Sequence, residues 1–255
     1  MKKNKKILAL AAAAALCLAI LAGCGTGQNT LSSSDEPGGA EKNVILVVSF
    51  GTSYADTREQ TIGAVESAVK QAFPEMDVFR AFTSGMIIRK MRRQGTAVDT
   101  VREALEKLKQ KGYTHVYIQP THVIPGEEYD RLCADAASYA GAFAVFRIGR
   151  PLLTETEDYP ALIQAMEQDG VIEKALTKAY LLMGHGTPHI INQAYPAFDY
   201  WLKRCGFDNV FVGTVEGYPT LDTLLEQLKE RQYQEVVLVP MMLVAGDHAQ
   251  NDMAG

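Results

Sequence analysis

Three residues in the second half of this chain could hold a divalent metal ion together. His185 stands in Gly184-His185-Gly186-Thr187, Glu216 in Val215-Glu216-Gly217-Tyr218-Pro219, and His248 in Ala245-Gly246-Asp247-His248. Two imidazoles and one carboxylate suit a borderline transition metal, and the absence of Cys from the set leaves the ion exchangeable. Glycines flanking His185 allow a sharp turn that points the ring into a crevice, and Asp247 can orient the imidazole beside it. Glu216 is weaker by itself, because a Glu before Gly in a loop is usually only solvated. Its position in an internal repeat strengthens it. Val47-Val48-Ser49-Phe50-Gly51-Thr52 matches Leu182-Met183-Gly184-His185-Gly186-Thr187, and Thr83-Ser84-Gly85 matches Val215-Glu216-Gly217. Val116-Tyr117-Ile118-Gln119-Pro120, running on to Gly126 and Glu128, matches Val236-Val237-Leu238-Val239-Pro240, running on to Gly246 and His248. Phe50, Ser84 and Glu128 thus stand where the second half carries His185, Glu216 and His248.

Further residues could assist. Glu127 and Glu128 begin a helix, where carboxylates favour the dipole, and the repeat places Glu128 across the cleft from the trio, where it could act as a base. His122 follows a strand and can reach the crevice as a substrate contact. His189, just past Pro188, reads as a solvated helix-start residue. Arg89, Lys90, Arg92 and Arg93 form a basic run in a stretch that the second half lacks. Such a run is either a solvated helix face or a docking surface for a substrate with many carboxylates. Phosphate-loop, dinucleotide and nucleophile-elbow signatures are absent, which disfavours ATP-driven, nucleotide-dependent or hydride-transfer chemistry.

The elements that must position these residues alternate in type. Strands are expected over 43–49, 76–81, 114–119, 143–148, 179–183, 210–212 and 235–239. Helices are expected over 56–73, 86–93, 98–111, 127–139, 160–168, 190–205 and 221–231. Alternation of this kind means βαβ units and parallel sheets. The fold class is therefore α/β, two similar domains over 43–150 and 151–255, each a parallel sheet flanked by helices. All three candidate ligands fall after strands, where open parallel sheets build their crevices. The second half stops short of the helix and strand that follow Glu128 in the first. A truncated second domain is expected, short by on the order of fifty residues.

Residues 1–24 read as an export signal rather than as part of the fold. Lys2, Lys3, Lys5 and Lys6 precede an apolar run of 16 residues from Ile7 to Ala22, short for a spanning helix. It ends in Leu21-Ala22-Gly23-Cys24, which resembles a bacterial lipobox, so Cys24 is the expected lipidation site. Residues 25–42 read as a flexible tether. The expectation is an exported protein, periplasmic or held to a membrane only by that lipid. Removing residues 1–23 takes away four lysines and no acid, so the formal charge moves from −5 to −9, which gives no general affinity for nucleic acid. Cys133 and Cys205 fall in different halves on predicted helices, and a disulfide between them is not expected.

Taken together, Ser49-Phe50-Gly51-Thr52-Ser53, Pro120-Thr121-His122-Val123-Ile124-Pro125-Gly126-Glu127-Glu128, Gly184-His185-Gly186-Thr187, Val215-Glu216-Gly217-Tyr218-Pro219 and the run from Ala245 to Gly255 resemble the anaerobic-type sirohydrochlorin cobaltochelatases, a family of class II chelatases. The resemblance extends from about residue 43 to 255. It implies two α/β domains around a tetrapyrrole cleft, ATP-independent insertion of Co²⁺, and metal binding by His185, Glu216 and His248, with a Glu at 127–128 assisting on the opposite wall. Fe²⁺ and Ni²⁺ are chemically close competitors of Co²⁺. A lipid-anchored protein that captures metal or a haem-like tetrapyrrole for uptake, without turnover, stays open as a second reading. The oligomeric state is left open, a homo-oligomer included.

Overall fold

The computed structural model describes residues 41–242. The export signal, Cys24, nearly all of the tether and His248 lie outside the described residues. Lys42, expected at the tether's end, is tied to the fold: its backbone N–H donates to Thr114 Oγ1 and its Nζ to the Lys111 carbonyl.

Two parallel sheets carry the fold. In the first half, β1 (Asn43–Ser49) is flanked by β2 (Asp77–Phe82) and β3 (His115–Pro120), and β4 (Val145–Ile148) pairs with β3, giving the order β2-β1-β3-β4. In the second half, β5 (Lys178–Gly184) lies between β6 (Val210–Thr214) and β7 (Glu235–Pro240), in the order β6-β5-β7. The central strands read as near-continuous apolar runs because helices cover both faces of a parallel sheet. Val44 through Val48 are all at most 1 % exposed. The registers Val44↔Asp77 with Val44↔Val116 and Tyr180↔Val210 with Tyr180↔Val237 repeat one pattern. The sequence repeat is thus a repeat of topology.

The helices between these strands are α1 (Ala55–Arg58), which passes through a π-helical turn (Glu59–Gly63) into α2 (Ala64–Ala72), then α3 (Gly85–Arg93), α4 (Val101–Gln110), α5 (Glu127–Ala137) and α6 (Asp158–Gln168). The second half adds a 3₁₀ turn (Ile190–Gln193), α7 (Ala194–Arg204) and α8 (Leu221–Lys229). Among the described residues no helix is long and apolar enough to cross a membrane. Helix α4 starts three residues later than expected because Thr100 caps it. Thr100 Oγ1 accepts from the Glu103 N–H and a Glu103 carboxylate oxygen accepts from the Thr100 N–H, a reciprocal cap that fixes the start. The helix expected over 190–205 is broken. Pro196 has no N–H to give and fits only a first helical turn, and Asn192 spends its side chain on the turns around the site.

Each half has its own core, and one segment of the first crosses over. Val123 and Ile124 pack against the cluster built on Leu153, Leu182, Tyr195 and Phe198. The Leu152 and Leu153 N–H groups donate to the His122 and Val123 carbonyls at 3.0 and 2.7 Å, which pins the stretch after β3 between the halves.

Candidate active site

The turns after β1 and β5 are the same device used twice. Gly51 and Gly186 both have positive φ (+100° and +84°). A β-carbon at Gly51 would lie 2.4 Å from the Phe82 ring, and one at Gly186 would lie 2.6 Å from the Gly217 nitrogen. Only glycine suits such positions. The residue just before each glycine, Phe50 or His185, is thrown outward into a shared cavity of about 330 Å³. That cavity lies between the halves, and Phe50, His122, Glu128, His185, Tyr195 and Glu216 are among its lining residues.

On the second half's side, His185 Nε2 lies 4.0 Å from Glu216 Oε2, both side chains being about half exposed. Their turns are stitched together: the Val215 N–H donates to the Gly184 carbonyl and the Glu216 N–H to the His185 carbonyl, at 3.0 and 2.7 Å. Asn192 adds a clamp, accepting from the Thr187 N–H and donating to the Tyr218 carbonyl. His185 Nδ1 is 2.9 Å from the Gly186 carbonyl oxygen. Beside a carbonyl that nitrogen can only donate, so in a neutral ring the lone pair falls on Nε2, the nitrogen facing Glu216. An imidazole lone pair and a carboxylate therefore converge on one point.

Tyr195 supports this geometry and has no counterpart among the sequence-level candidates. It is 2 % exposed. Its ring fills the space at Gly184, where a β-carbon would lie 2.1 Å from it. Burial raises the pKa of its hydroxyl, and the nearby backbone amides of Gly186 and His185 act against that larger effect. Only a pairing of the small Gly184 with a helical aromatic could have hinted at it in the sequence.

On the first half's side, one Glu128 oxygen is held by Arg131 at 3.0 Å. The other, Oε2, is buried without a protein partner. Glu127 also lines the cavity. His122 reaches it as well. Burial lowers its pKa to about 4, so the ring is neutral at physiological pH.

Other candidates fall elsewhere. None of Arg89, Arg92 and Arg93 lines the cavity. Arg92 is engaged by Glu103 at 2.6 Å and by the Val98 carbonyl, and Lys90 lies over the Tyr54 ring. Ser84, the repeat partner of Glu216, caps α3 by accepting from the Ile87 N–H. His189 is not merely solvated. Its Nδ1 accepts from the Ile191 N–H and its Nε2 is 3.6 Å from Asp130 on α5, a link between the halves. Cys133 and Cys205 are free thiols. Among the described residues no three His, Cys, Asp or Glu side chains form a ready metal cluster; His185 and Glu216 are two of the expected trio, and His248 lies outside.

Two matched parallel sheets, with an imidazole–carboxylate couple on one side of an inter-half cavity and a half-buried carboxylate on the other, have the architecture of an α/β metal chelatase. A family model described as "Cobalt chelatase (CbiK)" matches residues 43–255, and the chain belongs to that family. It is 44 % identical over 214 residues to the sirohydrochlorin cobaltochelatase of Salmonella typhimurium, covering 84 % of this chain and 80 % of that protein. It is 33 % identical over 216 residues to the sirohydrochlorin cobaltochelatase CbiKC of Nitratidesulfovibrio vulgaris, covering 84 % and 76 %.

Proposed function

We propose that this chain inserts Co²⁺ into sirohydrochlorin, or a closely related tetrapyrrole, without ATP. The observation that carries this reading is the convergence of His185 and Glu216 in a cavity whose other side presents Glu128. The two relatives named for that reaction support the choice of substrate.

Insertion exchanges two pyrrole N–H protons for one Co²⁺, while the ion sheds its water ligands. His185 Nε2, Glu216 and His248 hold the ion with open coordination positions, so that ring nitrogens can replace water stepwise. Glu128 Oε2, with no protein partner of its own, takes up one leaving proton, and the second passes to water shed by the ion. Oxygen and imidazole donors also accept Fe²⁺ and Ni²⁺, which are the expected competing ions. A capture protein would have no use for that carboxylate base and would gain from thiolates, so the family and the donor set both favour turnover. On this reading Arg89 and Arg93 of α3, outside the cavity lining, attract the carboxylates of the incoming macrocycle, and Arg92 is engaged by Glu103.

The sequence of residues 1–24 supports an exported, lipid-anchored member of the family, modified at Cys24. Mass spectrometry of the mature protein from its native membrane tests this: a diacylated N-terminal Cys24 is expected, and an unmodified Met1 or Lys2 terminus would contradict it. The catalytic reading is tested by mixing purified protein with Co²⁺ and metal-free sirohydrochlorin and following the visible spectrum. Conversion above the uncatalysed rate is expected, and His185→Ala should abolish it.

A further inference from the structure

The backbone of His122 is fixed, while its ring nitrogens are unused. Its carbonyl is fixed by the Leu152 N–H. Its ring lies edge-on to Tyr129 at 6.3 Å between centroids, and Tyr129 is itself anchored by its hydroxyl to the Gly149 carbonyl. Both ring nitrogens are nevertheless buried and meet no protein partner. Buried polar atoms are normally paired, and this ring lines the cavity that also contains His185 and Glu216. Neither nitrogen is accessible to water as the ring stands, so the ring turns to offer one to the cavity, and its unused hydrogen-bonding atoms then suit a ligand that brings its own donors.

We propose that His122 accepts a hydrogen bond from an inner pyrrole N–H of the metal-free macrocycle, and thereby distinguishes substrate from metallated product. This rests on the chelatase reading above. The chemistry sets the direction of the preference. Metal-free tetrapyrrole carries pyrrole N–H donors, and insertion removes them, so the contact exists before the reaction and is lost after it. The ring is a substrate-binding residue: neutral, it accepts the hydrogen bond without retaining the proton, and the two protons leave through Glu128 and water as above. Product then loses an interaction that substrate enjoyed, which favours release.

The test compares the affinities of the full-length protein for metal-free sirohydrochlorin and for its cobalt complex, in wild type, His122→Phe and His122→Gln. The Phe variant is expected to lose about tenfold in affinity for the metal-free ligand, the scale of one buried hydrogen bond, with little change for the cobalt complex. Gln, a neutral acceptor of similar reach, should restore much of the loss. Equal losses for both ligands would mean a merely structural role, and no loss for either would mean no contact; each overturns the proposal. A fall in Co²⁺ affinity would make the ring a metal ligand and overturn it too. Should the Phe variant fail to fold, the imidazole ¹⁵N resonances of His122 in the wild-type protein decide: they must move with metal-free ligand and stay near their apo positions with the diamagnetic Zn²⁺ complex of the same ring, and an equal shift with both ligands overturns the proposal. Absence of cobalt insertion by the wild type would instead count against the chelatase reading itself.

Discussion

Nε2 of His185 and Oε2 of Glu216 stand 4.0 Å apart on two turns whose backbones are hydrogen-bonded to each other. A first-row divalent ion sits about 2.0–2.2 Å from such donors, so small side-chain rotations place one ion between them. The pair is preorganised by backbone, and neither residue has to be recruited from a distance. Removing either donor should therefore act on the metal directly. His185→Ala and Glu216→Ala are each expected to weaken Co²⁺ binding by at least about tenfold in calorimetry, with affinity for metal-free tetrapyrrole largely retained. Unchanged Co²⁺ affinity in both variants would remove these residues from the metal site. His248→Ala is expected to behave like His185→Ala.

Tyr195 predicts a subtler effect. Its ring packs in the core and against Gly184, with its hydroxyl beside the Gly186 and His185 amides. Tyr195→Phe keeps the ring and removes the hydroxyl beside the turn amides, a loss on the order of 1 kcal/mol. The expected result is a lower melting temperature together with a several-fold fall in insertion rate at saturating Co²⁺. A variant as active and as stable as wild type would show that the turn holds without it.

Burial of His122 makes stability depend on pH. The folded-state pKa is about 4, against about 6.5 in an unfolded chain. As pH falls through that window, the unfolded chain takes up a proton that the folded ring refuses, so stability is retained above about 6.5 and lost towards 4. The loss is on the order of 3 kcal/mol across the window. The titratable groups sharing the cavity or packing on the ring are Tyr129, Glu127, Glu128, His185, Tyr195 and Glu216; an anionic carboxylate turned towards the ring would shrink the loss. Denaturant melts at pH 7 and pH 5 should show the difference, reduced in His122→Gln. Identical pH profiles for the two proteins would mean that the ring is not refusing its proton.

The basic helix separates into two behaviours. Arg92 already has Glu103 as partner, and an exposed pair of this kind contributes about 0–1 kcal/mol. Arg92→Gln should therefore have a small effect on stability. Arg89 and Arg93 are the residues left for the macrocycle's carboxylates. Changing both to Gln should weaken tetrapyrrole binding at low ionic strength, with the loss shrinking at high salt as exposed charges are screened. Affinity that is insensitive to the double change at low salt would make α3 a solvated face only.

The strands and most helices were legible to within a few residues, because buried parallel strands and capped amphipathic helices write strong periodic signals. The repeat also placed His185, Glu216 and Glu128 around one cavity, since matched positions after matched strands must share a location in the fold. What stayed hidden depends on contacts between segments far apart in the chain. The split of the 190–205 helix follows from Asn192 bonding to Thr187 and Tyr218. The pairing of His189 with Asp130 joins the two halves, and no local pattern encodes it. Tyr195 falls within the helix expected over 190–205, and its role appears only when the Gly184 turn lies beneath its ring.

The most direct measurement is cobalt insertion under excess substrate. With Co²⁺ and sirohydrochlorin each well above the protein concentration, the absorbance of cobalt-sirohydrochlorin should grow linearly through many equivalents per chain, and His185→Ala should remove that growth while still binding the metal-free ring. A signal that saturates at one equivalent of bound ligand in the intact wild-type protein, with no metallated product released, would contradict the account.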